Sequence, residues 1–206
     1  MSTQMEMARA ERADFADFLA TLTPQQWDAG TLCSAWTVKD VVAHVISYEE
    51  LGFAGLIKRF ARGRVVRANE VGVREYSSLT PEQLVAFLAE HVRPQGLTAR
   101  FDGMIALVDG TVHQQDIRRP LGLPRTIPPD RLRRVLQLLP PNPRLGVPWR
   151  IRGLRLRATD VDWEYGRGLE VTGPGEALMM ALAGRVHSVD ELTGPGRAVL
   201  AARLQR

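Results

Sequence analysis

The sequence is poor in several things, and each scarcity excludes something. There is one cysteine, Cys33, in 206 residues. No internal disulfide can form, and a reducing compartment is expected. No apolar run approaches the ~20 residues that span a bilayer. Met1 to Glu6 lacks a basic segment followed by an apolar core, so no secretory leader is expected and the reading is cytoplasmic. Lysine is nearly absent, 2 against 25 arginines. With abundant Ala and Val that skew reads as codon bias and carries no function. Aromatics are 6% of the chain, and they are not interleaved with the arginines as in a base-stacking platform.

What remains is an ordinary globular composition, 45% hydrophobic and 24% charged. The length suits one large domain or two small ones. The net charge of +4 hides an asymmetry. Through Ile117 there are 11 basic and 15 acidic residues, and from Arg118 onward 16 and 8. A shift of that size predicts a domain boundary near Pro120. The division taken is residues 1–124 and 125–206.

The first part reads as helices. Thr3 to Leu22 has apolar positions at helical spacing. Thr23-Pro24-Gln25-Gln26 and Thr80-Pro81-Glu82-Gln83 each carry a cap residue, a proline at the first helical position and glutamine three after the cap. Thr37 caps a helix expected to run through His44 to about Arg62, with Val38, Val41, Val45, Tyr48 and Leu51 as its core stripe. Gly63 to Ser78 reads as a long loop. A last helix is expected from about Thr98 to Arg119, stopped by Pro120, with Gly122 turning the chain away. Four main helices predict an up-down bundle.

The second part reads as a small α+β module. A helix starts at Pro129, and Pro140, Pro141 and Pro143 force an extended loop. Arg150 to Ala158 alternates basic and apolar with a phase slip at Gly153, which predicts a half-buried strand. Asp162 to Tyr165 and Leu169 to Val171 read as a hairpin about Gly166 and Gly168. Helices follow from Gly175 and from about Ala198. The fold class is therefore mainly α with a C-terminal α+β module.

The chemistry concentrates in Val108 to Pro120. Asp109 and His113 lie four apart and share one helical face, so both can meet one ion. His44 is the best third donor, since it lies beside the apolar stripe of its helix. The spacing leaves other readings open: a surface Asp–His pair, or a core histidine bonded to backbone. Asp116 can orient a ligand imidazole or pair with Arg118 or Arg119. Cys33 reads as a small buried residue, with no histidine near it in sequence. His91 and His187 show no partner pattern.

Thr31-Leu32-Cys33-Ser34-Ala35-Trp36-Thr37-Val38-Lys39-Asp40-Val41-Val42-Ala43-His44-Val45 resembles the first motif of the mycothiol-dependent maleylpyruvate isomerase family. Val112-His113-Gln114-Gln115-Asp116-Ile117-Arg118-Arg119-Pro120-Leu121-Gly122 is similar to its second. Gly173 to Leu178, Ala183-Gly184-Arg185 and Leu192 to Gly196 resemble its C-terminal domain. The resemblance implies a DinB-like metal-binding four-helix bundle over 1–124 and a sterol-carrier-like α+β domain over 125–206. It implies zinc, held by His44, Asp109 and His113, with Asp109 one methylene shorter than the family's usual Glu. It implies mycothiol as thiol cosubstrate. In such an isomerase the thiolate adds to a cis double bond, the single bond rotates, and elimination gives the trans product. Thiol transfer to a small electrophile is the family's other reaction.

Arg185 is read either as a partner for a substrate carboxylate or as a cation at a helix C-terminus. The expected partners are a small electrophile and a low-molecular-weight thiol, met in a cleft walled by the two domains, with no nucleic acid and no membrane. The expected state is a monomer or homodimer. The rival to an enzyme is a metal-bound regulator that senses a thiol or small ligand.

Overall fold

The computed structural model describes residues 2–51, 55, 57–59, 61 and 68–205. The chain divides into two compact units, Met1–Pro124 and Arg125–Arg206. No helix among the described residues is long and apolar enough to cross a membrane.

The first unit is helical. Its elements are α1 (Gln4–Leu19), α2 (Pro24–Trp27), α3 (Val38–Ile46), α4 (Ala68–Tyr76), α5 (Pro81–Glu90) and α6 (Arg100–Leu121). Local chemistry fixes the starts. Thr3, Thr23, Thr37 and Thr80 each close a capping box with the residue three places on. α1 packs along α6 and against α5, and α3 packs on α4, α5 and α6. Phe15, Leu19, Val41, Ile46, Leu84, Leu88 and Ile117 meet in one buried cluster.

Two expectations fail here. The helix through His44 ends at Ile46, not near Arg62. Ser47 turns its hydroxyl back onto the His44 carbonyl at 2.9 Å, and the Arg59 guanidinium takes the Ser47 carbonyl at 2.6 Å. Both contacts compete with helix continuation. The loop expected over Gly63 to Ser78 contains α4; its first residues, 63–67, lie outside the described residues.

α6 organises the unit. From Ala106 to Ile117 every residue but Asp109 is buried, including Thr111, His113, Gln114, Gln115 and Asp116. Its start is bent, since Phe101, Asp102 and Gly103 have left-handed φ of 55°, 56° and 74°. Gln4 holds that bend by donating to the Phe101 and Asp102 carbonyls at 2.7 and 3.0 Å. Pro120 does not stop the helix, which runs on to Leu121. It lacks an N–H, so the Asp116 carbonyl goes without its ladder bond one turn before the end, and Gly122 at φ 65° caps the helix.

The second unit holds α7 (Pro129–Leu138), α8 (Val147–Arg150), β1 (Leu154–Ala158), β2 (Glu164–Gly166), β3 (Leu169–Gly173), α9 (Gly175–Leu182), a 3₁₀ turn (Val186–Glu191) and α10 (Arg197–Leu204). In β1, Leu154, Leu156 and Ala158 point inward while Arg155 and Arg157 face solvent. α9 is buried on almost every side and packs on the sheet, α7 and the 3₁₀ turn. The expected hairpin does not form. The sheet order is β2-β1-β3, with β1 antiparallel to β2 and parallel to β3. The chain crosses the start of β1 instead. Gly168, at φ 122°, passes so close that a Cβ there would lie 2.1 Å from the Gly153 carbonyl oxygen.

Candidate metal centre

α3 and α6 each deliver one imidazole to a common space. His44, on α3, is 6% exposed, and His113, on α6, is 9% exposed. Their rings lie 4.9 Å apart, nearly perpendicular at 82°. Asp109 stands one turn before His113. Its Oδ1 is 3.4 Å from His113 Nε2 and its Oδ2 is 3.8 Å from His44 Nε2. One donor atom from each of the three lies within 4.8 Å of the others. The set is two imidazoles and one carboxylate, the borderline-hard donors that zinc takes in open sites.

The electrostatics follow from burial and proximity. Burial works against charge on both Asp109 and His113. Their attraction for one another overrides it, with His44 also drawing on Asp109 and Asp116 on His113. The Asp109 carboxyl is held well below the usual carboxylate range, and the His113 imidazole well above its ordinary 6.5. Asp109 keeps 35% of its side chain exposed, so solvent screens part of the pairing. His44 differs from a core histidine bonded to backbone. Its Nδ1 is buried and has no hydrogen-bond partner among the described residues. The Trp36 ring lies 5.1 Å from it on one side and the Tyr48 ring stands edge-on at 6.2 Å. Burial pushes the Tyr48 phenol up, and its hydroxyl donates to Asn69 Oδ1 at 2.7 Å.

Behind His113 lies a second layer. Asp116 is fully buried, and its Oδ2 accepts from His113 Nδ1 at 2.9 Å. The same oxygen takes the Cys33 thiol at 3.2 Å, with Cys33 Sγ 3.6 Å from His113 Nδ1. The sequence reading of Cys33 as a small buried residue missed this, because the histidine beside it lies 80 residues away. A signal existed in Pro120. With no N–H there, the Asp116 carbonyl loses its helical donor, and a buried helix needs that carbonyl satisfied from elsewhere. Leu32 N supplies the bond at 3.0 Å.

The remaining candidates fall elsewhere. Arg185 lies in the second unit and donates to the Ala183 carbonyl at 2.6 Å, the contact of a cation at a helix C-terminus. His91 stacks on Phe87, its Nδ1 2.8 Å from the Phe87 carbonyl. His187 lines a cavity of about 520 Å³ in the second unit, with Asp190 and Arg197 among its walls.

Comparison with known proteins places the first unit. Residues 8–94 match the family described as the mycothiol maleylpyruvate isomerase N-terminal domain. That match includes Cys33 and His44 and ends before Asp109 and His113. The chain is similar in fold to the crystal structure of the mycothiol-dependent maleylpyruvate isomerase. The TM-score is 0.55 at 15% identity, covering 93% of this chain and 91% of that one. A histidine-to-alanine variant of that isomerase gives a TM-score of 0.54 at the same identity and coverage. No curated protein matches the sequence.

Proposed function

We propose, for a chain that belongs through its first unit to the mycothiol-dependent maleylpyruvate isomerase family, a metal-dependent reaction of a low-molecular-weight thiol with a small electrophile. His44, Asp109 and His113 are the ligands in this reading, and zinc is the metal their chemistry favours. The observation that supports it is the convergence of two buried imidazoles and one carboxylate, from two helices, on one space.

A divalent cation held there would supply a Lewis-acid centre that favours the thiolate form of a thiol at neutral pH. The protein's own residues prepare the rest. His44, Asp109 and His113 would hold the ion with three protein donors, the number that catalytic zinc sites use. Asp116 accepts the Nδ1 hydrogen bond of His113 and so fixes the ring with Nε2 toward Asp109. Trp36 and Tyr48 wall His44 and keep its ring in place. Mycothiol is the thiol the family points to, and isomerisation or S-transfer is the reaction class.

The test is a thiol-dependence assay. Zinc-loaded protein is offered mycothiol or other low-molecular-weight thiols with a panel of electrophiles that includes maleylpyruvate. Turnover should need both thiol and metal, and should disappear in His113→Ala and on chelation. Binding of metal without any thiol-dependent reaction or thiol binding overturns the enzymatic reading in favour of a non-catalytic regulator.

A further inference from the structure

We infer that Cys33 is a positioning residue, one that acts on His113 through Asp116. Three contacts from a single loop meet at this point. The Cys33 thiol donates to Asp116 Oδ2 at 3.2 Å. The Leu32 amide donates to the Asp116 carbonyl at 3.0 Å. Three residues along the same loop, the Trp36 ring packs 5.1 Å from His44. The loop that precedes α3 therefore grips both imidazoles, one through a ring contact and the other through a buried carboxylate.

The loop is built to hold that position. Gly30 and Thr37 pair as a bridge, and Thr31 N donates to the Trp36 carbonyl at 3.1 Å. The Thr31 hydroxyl accepts from Cys33 N at 3.1 Å, which fixes the backbone that carries the thiol. Asp116 has no exposure to water, so its orientation depends on protein donors alone. Its Oδ2 takes both the Cys33 S–H and the His113 Nδ1–H. Removing the S–H takes away one of the donors that hold the carboxylate and loosens its grip on the imidazole it orients. Serine keeps a donor at this position and alanine does not.

The experiment compares wild type, Cys33→Ala and Cys33→Ser. Two properties are read: zinc affinity, by competition with a chromophoric chelator, and the His113 Nδ1 proton in the metal-free protein, by ¹⁵N-edited NMR. Circular dichroism confirms that each variant is folded. Cys33→Ala should weaken zinc binding by about tenfold and broaden the Nδ1 proton through exchange with water. Cys33→Ser should restore both. The affinity readout rests on the metal centre proposed above, whereas the proton readout does not. A wild type that binds no zinc removes the metal reading and leaves the proton to decide. Unchanged affinity and an unchanged proton in Cys33→Ala overturn the inference, as does a serine variant that behaves like alanine.

Discussion

Leu32 donates its backbone N–H to the carbonyl of Asp116 across 84 positions of sequence, at 3.0 Å. That carbonyl is the one Pro120 cannot serve, because proline has no N–H to complete the i to i−4 ladder. A proline near the end of α6 thus opens an acceptor, and the loop before α3 closes it. The Leu32 amide should exchange with solvent as slowly as the central amides of α6, although it lies in no regular element. Native-state hydrogen exchange checks this. Exchange at the rate of an open loop would mean that the loop is not fastened to the helix.

The ligand set makes a stoichiometric prediction. Protein purified without chelator and offered zinc should carry one ion per chain. His44→Ala, Asp109→Ala and His113→Ala should each lose it while keeping their helical signal, since none of the three supplies the packing of the core cluster. Elemental analysis of the four proteins is the measurement. Equal metal in all four would remove these residues as ligands.

The pairing of Asp109 with His113 predicts how metal-free stability depends on pH. His113 is raised above its ordinary 6.5, so its contribution is complete below 6.5 and fades as pH climbs through the raised value. Asp109 is lowered below its ordinary 3.8, so its contribution is complete above 3.8 and fades as pH falls through the lowered value. The pair stabilises the metal-free protein most between those two ordinary values. Zinc reverses the trend on the alkaline side, because it replaces a proton on His113 and binds more tightly as pH rises. The gap in Tm between zinc-loaded and metal-free protein should therefore widen between about pH 5 and pH 8. Thermal melts across that range measure it, and a constant gap would contradict the pairing.

A second buried ion pair carries stability without touching the metal ligands. Arg12 on α1 meets Glu49, and both side chains are almost fully buried. Glu49 also accepts from Gln95 N at 2.9 Å and from the Thr98 hydroxyl at 2.6 Å, while Arg12 donates to the His91 carbonyl at 2.7 Å. The pair ties α1, the turn after α3 and the segment leading into α6 together. Glu49→Ala leaves a buried guanidinium without its counter-charge and should cost about 3–5 kcal/mol. Chemical denaturation of the first unit's helical signal would show it. A loss below about 1 kcal/mol would place the pair with surface ion pairs.

The sequence alone determined much of this protein, wherever the determining interaction is local. The capping threonines at 3, 23, 37 and 80 start their helices from a contact three residues long. The one-turn spacing of Asp109 and His113 put both on one face before any packing was known, and the alternation of β1 declared its buried side. Only the tertiary structure decided the rest, because those contacts join residues far apart in the chain. No local pattern reported that Ser47 and Arg59 end α3 at Ile46, or that β3 lies beside β1 instead of β2. The distance of His44 from Asp109 depends on how α3 packs against α6. Cys33 gave the clearest case. Its sequence neighbours made it a bland small residue, and the fold set its sulfur against a buried carboxylate on a helix more than 80 positions away.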